Sequence, residues 1–301
     1  MDLKKFGLLA ISTLLLTGLP GQWGMGPVPV YGETLVRVGG STTLLPVVTR
    51  AAEEYMKAHP GVRITVSGGG SGVGIRGAAT GILDIGLASR HLTSPERSRF
   101  GNAGAYTAAI GRDAIACVVS SEVFAAGVRA LSRRQIQDIY LGRIRNWKQV
   151  GGPDHPIVVI DKERHRGTRH VFMQYVFGNP EARAPGVRLV TGSNNEEQTK
   201  IAQSDAAIGL LSFAWMNSDV KGVSLKTGAG LMEPLTGNVK KGRYPIVRNL
   251  DLVTLGKPEG AVRRFINFLR GPRGHTLVES GGFIPVRSAE GSRFAGAGVS
   301  R

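Results

Sequence analysis

Three features of the sequence predict an α/β protein built on a largely parallel sheet. Short alternating apolar runs trade places with helix-spaced ones along the chain. The breaks between them are glycine loops carrying hydroxyl side chains. The composition, 42% hydrophobic and 20% charged over 301 residues, suits a folded protein with one large core or two smaller ones.

The elements follow in order. Lys4 and Lys5 precede an apolar stretch from Phe6 to Leu19 that ends at Pro20-Gly21. A basic start before a short apolar run is the pattern of a signal peptide, and the run is too short for a comfortable membrane span. Residues 1–32 are assigned to this leader, with cleavage between Pro20 and Gly32. No cysteine follows the apolar run to carry a lipid anchor. The mature chain is therefore expected to be soluble and periplasmic, or otherwise extracytoplasmic.

Residues 36–38 form the first expected strand, running into Gly39-Gly40-Ser41-Thr42-Thr43. Leu45, Val48, Ala52, Tyr55 and Met56 then share one helical face, which stops at His59-Pro60-Gly61. Val62, Ile64 and Val66 alternate as a second strand that enters the loop Gly68-Gly69-Gly70-Ser71-Gly72. A short helix over 73–80 and a strand over 82–87 follow. Further strands are expected at 114–119, 157–160 and 205–211, with helices at 133–140, 168–177, 261–269 and 272–279. The residues from Ser288 onward are small and polar enough to fray.

Lys and Arg number 38 against 22 Asp and Glu, a formal charge of +16. Such a charge suits nucleic acid, an anionic membrane or small anions. The basic residues are spread along the chain with a C-terminal bias, and only 6% of residues are aromatic, so a stacking nucleic-acid interface is not expected. The single cysteine, Cys117, lies in an apolar run and reads as a buried small hydrophobe. No histidine pair has metal-ligand spacing, and no nucleophile elbow or carboxylate pair stands out, so neither a metal, a cofactor nor an enzyme activity is expected. Gly72-Val73-Gly74-Ile75-Arg76-Gly77 matches a dinucleotide fingerprint, but it follows the second strand and no acidic residue ends the next one.

Four loops recur where strands hand over to helices: Gly40-Ser41-Thr42-Thr43, Gly70-Ser71-Gly72, Ala88-Ser89-Arg90 and Arg166-Gly167-Thr168-Arg169. Each offers backbone N–H groups and hydroxyls beside a helix N-terminus, where partial positive charge favours an oxyanion. One such loop alone reads as a cap or turn. Four in the same topological place point to an anion site.

Over nearly the whole mature chain these motifs resemble the phosphate-binding type of periplasmic substrate-binding proteins, the receptors of phosphate ABC transporters. Gly40 to Pro46, Ser67 to Ile75 and Asp84 to Arg90 resemble the family's three anion loops. Ile139 to Trp147, Ala207 to Leu210 and Gly282 to Val286 resemble its helix–turn stretch, return crossover and C-terminal motif. The resemblance implies a two-lobed, hinged periplasmic-binding-protein fold with the cleft between the lobes. Lobe 1 would take 33–114 and 212–301, and lobe 2 would take 115–211. It further implies that Ser41, Thr42, Thr43, Ser71, Ser89, Arg90, Gly167 and Thr168 line the phosphate site. The implied partners are inorganic phosphate, or a related oxyanion, and a membrane permease, with the receptor a monomer.

The chain also departs from the family pattern. His165-Arg166 replaces the usual Gly-Ser ahead of Gly167-Thr168, Lys162 stands where an arginine often meets the anion, and Arg90 stands where some relatives have an aspartate. Lys162 and Arg166 therefore join the candidate site, Arg166 either reaching the anion bidentately or swinging out to solvent. These changes keep open a receptor or sensor for another oxyanion on the same fold, with a polyanion-binding protein as a further alternative.

Overall fold

The computed structural model describes residues 33–286, so the leader assigned to 1–32 and the tail from Ser288 lie outside the described residues. The sheet path runs Val62–Ser67, Thr34–Gly40, Ile85–Ala88, Val247–Leu255, Ala105–Ser120, Ala207–Ser212, Val158–Lys162, Val187–Thr191. The pairings at both ends are parallel, as βαβ connections require, whereas those in the middle are antiparallel. The 16-residue strand Ala105–Ser120 joins the halves. Its first part pairs with Val247–Leu255 and its end pairs with Ala207–Ser212.

Two main hydrophobic cores pack on this sheet. In the first, the helix Leu45–Ala58 turns Val47, Val48, Ala51, Ala52 and Tyr55 inward, with Pro46 pre-set in its first turn. That face meets Val36, Ile85, Leu252, Phe265 and Leu277. The second core surrounds Trp147, Tyr140, Phe172 and Met173. Its two polar ring groups are satisfied: Trp147 Nε1 donates to the Ala206 carbonyl at 2.9 Å and Tyr140 hydroxyl to that of Ile160 at 3.2 Å. Burial of aromatic bodies with bonded polar tips fixes this half around one arrangement. Val223, Leu225, Met232, Tyr244 and Ile246 also pack here, although the sequence expectation places them in lobe 1.

The helices at Arg133–Tyr140, Gly167–Phe177, Gly260–Arg270 and Pro272–Ser280 fall where their periodicity puts them. The strand expected from residue 82 begins at Ile85, because Gly81 takes φ +70° and turns the chain, leaving Ile82 exposed. Among the elements with no counterpart in the sequence reading are residues 105–113 of the long strand, Val187–Thr191, Asn194–Ala202 and Val247–Leu255. Three of these stretches carry side chains of the candidate site: Asp113, Asn194 and Arg248.

Candidate anion-binding site

Parallel register brings the first loops together. Gly40 pairs with Leu87, so Ser41, one residue on, and Ser89, two residues on, leave the sheet close together. Ser41 Oγ donates to Ser89 Oγ at 2.9 Å, and Ser71 Oγ lies 3.2 Å from the same atom. Ser71 Oγ also accepts from the Ser89 N–H at 3.0 Å, and Ser41 Oγ accepts from the Thr43 N–H at 3.3 Å. All four of these residues are buried. Thr42 is half-buried, its methyl next to Gly68.

The other half of the sheet contributes Gly167 and Thr168. Val158–Lys162 ends in a turn that starts the helix Gly167–Phe177 against the serine cluster. A Cβ on Gly167 would collide with Ser71 Oγ and Ser89 Oγ, so glycine is what allows the two halves to meet this closely. The helices starting at Leu45, Ser71 and Gly167 have no side-chain cap. Their first-turn N–H groups are thus not claimed by a cap, and their dipoles converge on one cluster of hydroxyls.

At the centre lies a residue the sequence reading missed. Arg248, on Val247–Leu255, is buried and reaches three of the loops. Its Nη1 donates to Thr168 Oγ1 at 2.9 Å and to Ser89 Oγ at 3.2 Å, and its Nη2 donates to Thr43 Oγ1 at 3.2 Å. Asp113 fixes it from behind, accepting from Nε at 2.9 Å and Nη2 at 2.6 Å. Ser212 Oγ donates to the other Asp113 oxygen at 2.9 Å. Burial pushes the Asp113 carboxyl up while the Arg248 guanidinium pulls it down, and burial likewise lowers Arg248 against the attraction of Asp113.

The three cations expected at the site each have a carboxylate partner. Arg90 binds both oxygens of Glu96, at 2.7 Å each, and the His91 carbonyl. Its guanidinium therefore faces the Thr93 capping box, away from the hydroxyls. Lys162 pairs with buried Glu197 and donates to the Ser193 carbonyl at 3.1 Å. Burial lowers the Lys162 ammonium and raises the Glu197 carboxyl, each offset by its partner. Arg166 Nε donates to Glu163 at 2.8 Å, while its stem packs on Gly70. The geometry brings together Ser41, Thr43, Ser71, Ser89, Gly167 and Thr168, and sets the charges of Arg90, Lys162 and Arg166 in a surrounding ring of ion pairs.

Asn194 also enters the cluster unforeseen, its Nδ2 donating to Thr43 Oγ1 at 3.0 Å. The sequence held a signal for Arg248: it stands at the same alternation parity as the apolar Leu250 and Leu252, so the pattern places a cation on a buried face. No metal-binding cluster of three or more His, Cys, Asp or Glu is present among the described residues.

Residues 28–273 match the family model of the PBP superfamily domain. The chain is 30% identical over 263 residues to the phosphate-binding protein PstS of Borreliella burgdorferi, covering 85% of this chain and 91% of that protein. It is 29% identical over 259 residues to PstS of Bacillus subtilis, covering 86% and 83%. A candidate phosphate ABC transporter substrate-binding protein from Clostridium perfringens, solved with bound phosphate, superposes with a TM-score of 0.76 at 29% identity. That comparison covers 84% of this chain and all of the solved one, and an ABC-type phosphate transport receptor from Vibrio cholerae gives a TM-score of 0.68 at 31% identity over 83% and 99%.

Proposed function

The chain belongs to the PBP superfamily, in its phosphate-binding PstS family, and from that premise we propose that it captures inorganic phosphate between two lobes and hands it to an ABC permease. The observation that carries this reading is Arg248, whose one guanidinium gathers Thr43, Ser89 and Thr168 from three separate loops. A tetrahedral anion at that point meets a charged fork and converging hydroxyl and amide donors in a buried setting. Charge-assisted hydrogen bonds of this kind are short and directional. Neutral donors supply the rest, so the anion is held without a surplus of fixed charge.

Ser41, Thr42, Thr43, Ser71, Ser89, Gly167 and Thr168 form the contact set together with Arg248. Arg90, Lys162 and Arg166 act on it through position and field, since Glu96, Glu197 and Glu163 hold their charged ends. Lobe 1 takes 33–114 and most of 212–301, and lobe 2 takes 115–211. Residues 220–246, packed on the second core, move with lobe 2. The hinge then lies at the crossings near Ala114, Ser212 and Ile246. The leader 1–32 exports a monomer that works outside the cytoplasm, and capture and release make and break no covalent bond. No helix of the described residues is long and apolar enough to cross a membrane.

The test is titration calorimetry of the mature chain, unfolded and refolded to strip anions carried through purification, against phosphate, sulfate, molybdate and a phosphonate. Phosphate should bind most tightly. Stronger binding of any competitor overturns the phosphate assignment and leaves an oxyanion receptor of another specificity.

A further inference from the structure

The strands Ser224–Thr227 and Gly230–Met232 form an antiparallel hairpin on the second core. Register sorts its side chains by face. Leu225 lies opposite Met232, and both turn into that core. Lys226 lies opposite Leu231, so the two share the outward face, and both are exposed. Leu231 is 64% exposed, and Leu235, just before the helix Thr236–Lys240, is 54% exposed. Val239 anchors that helix in the second core, while Lys240 and Lys241 stay outside it. Arg243 then returns to the hairpin, lining one recess with Leu231 and Met232, and its Nη2 donates to Asn238 Oδ1 at 2.7 Å.

Charge sets this face apart from the anion site, where each cation is neutralised. Within residues 220–246 five cations stand against one carboxylate, Glu233. Lys226, Lys240, Lys241 and Arg243 are exposed, and none has an ion pair among the described residues. The hairpin tip Gly228-Ala229-Gly230 carries no charged side chain. Its backbone is partly satisfied from within: Thr227 Oγ1 donates to the Gly230 carbonyl at 2.9 Å and accepts from the Ala229 N–H at 3.3 Å. Such a tip leaves water at a lower cost than a loop of polar side chains. Exposed leucines among unpaired cations have the composition of a membrane-surface contact. Three of the four cations are lysines on flexible stems, which follow mobile lipid phosphates without needing a fixed fit.

We propose that this hairpin and the short helix beside it dock on an anionic phospholipid membrane. Leu231 and Leu235 enter the headgroup region, and Lys226, Lys240, Lys241 and Arg243 meet the lipid phosphates around them. The contact lies apart from the anion site, so it does not depend on which oxyanion the cleft takes.

The test is sedimentation of the mature chain with vesicles of phosphatidylglycerol and phosphatidylcholine in equal parts, against vesicles of phosphatidylcholine alone. Excess inorganic phosphate is kept present so that the cleft is filled and cannot take a headgroup. The wild type should bind the anionic vesicles, and more weakly as salt is raised. Lys226→Gln, Lys240→Gln and Lys241→Gln combined should weaken this binding on the order of a hundredfold, from about fivefold per lysine at an anionic surface. Leu231→Ser with Leu235→Ser keeps every charge and should lose at least about tenfold. Phosphate affinity by calorimetry should stay at the wild-type value in both variants, which also shows that they fold. A wild type that does not prefer the anionic vesicles overturns the proposal without any variant. Variants that fold and bind vesicles as the wild type does overturn it too. Binding seen only when inorganic phosphate is left out would place the headgroup in the cleft and overturn it. A wild type that ignores both vesicles, while the same variants impair phosphate uptake by cells, overturns it in favour of a protein partner.

Discussion

Arg248 and Asp113 sit directly opposite one another on adjacent antiparallel strands, and the register that pairs their backbones also pairs their charges. Sheet pairing thus delivers a guanidinium, already aimed and neutralised, to the point where both halves of the molecule meet. A buried pair broken on one side leaves an uncompensated charge, at a cost of about 3–5 kcal/mol. Arg248→Met should therefore lower unfolding stability by that order. The double variant Arg248→Met, Asp113→Leu should recover part of the loss while remaining unable to bind phosphate. Urea denaturation and calorimetry on the same samples check both halves, and a double variant less stable than Arg248→Met would refute the pairing as the source of the loss.

Thr168 and Gly167 separate affinity from stability. Thr168→Ala removes one oxygen beside Arg248 Nη1 and leaves the helix behind it unchanged, so the fold should persist. Phosphate affinity should fall roughly tenfold, the effect of one hydrogen bond to a charged group. Gly167→Ala should do more, because the added methyl drives Ser71 and Ser89 away from the helix N-terminus. Unchanged phosphate affinity in Thr168→Ala would place the anion elsewhere.

How far the sequence reaches is clear from these residues. Ser41, Ser71, Ser89 and Thr168 were legible because each lies at the handover from strand to helix, a local pattern. Arg248 is bound to Asp113, 135 positions away, and nothing local specifies that strand register. The helix of Asn194 escaped notice because its run Asn-Asn-Glu-Glu-Gln-Thr-Lys looks solvent-facing, yet Glu197 within it is fully buried by Lys162 and Leu210. Arg166 was legible as a departure, but the partner that sets its direction, Glu163, emerges from the turn geometry. The roles written in long-range electrostatics were the ones hidden.

Asp251 gives a pH prediction of the less common sign. It is buried on Val247–Leu255, and loss of hydration pushes its carboxyl up to about 7 from 3.8, opposed weakly by Arg97. The folded state thus holds this proton where the unfolded chain has lost it. Its unfavourable contribution is absent below pH 4, grows as pH rises toward 7, and then levels off, reaching roughly 4 kcal/mol by linkage. His91 Nδ1 lies 4.0 Å away on an exposed imidazole, whose pKa is lowered by partial desolvation and by Arg97. Asp251→Asn should raise stability at pH 8 by a few kcal/mol and change it little at pH 4.5. Denaturant titrations at the two pH values check this, and an equal gain at both would point to packing instead.

His165 ties the two halves at the rim of the site, so its loss should be read in rates. Its Nε2 lies 3.0 Å from the Gly69 carbonyl, and its own carbonyl accepts from the Gly72 N–H at 3.1 Å. The loop it grips turns through Gly70 at φ +91°, where a Cβ would also run into Arg166. His165→Ala removes the imidazole bond and keeps the backbone one, so the halves should still meet but part more easily. Contacts formed on closing act mainly on dissociation. One neutral hydrogen bond corresponds to release about three- to tenfold faster, with association nearly unchanged. Stopped-flow measurement of phosphate release into an excess of a fluorescent phosphate sensor gives the rate directly. Gly72→Ala sets a methyl 3.1 Å from His165 Cβ and should speed release in the same direction. Release from His165→Ala at the wild-type rate would mean that this cross-cleft contact does not hold the halves together.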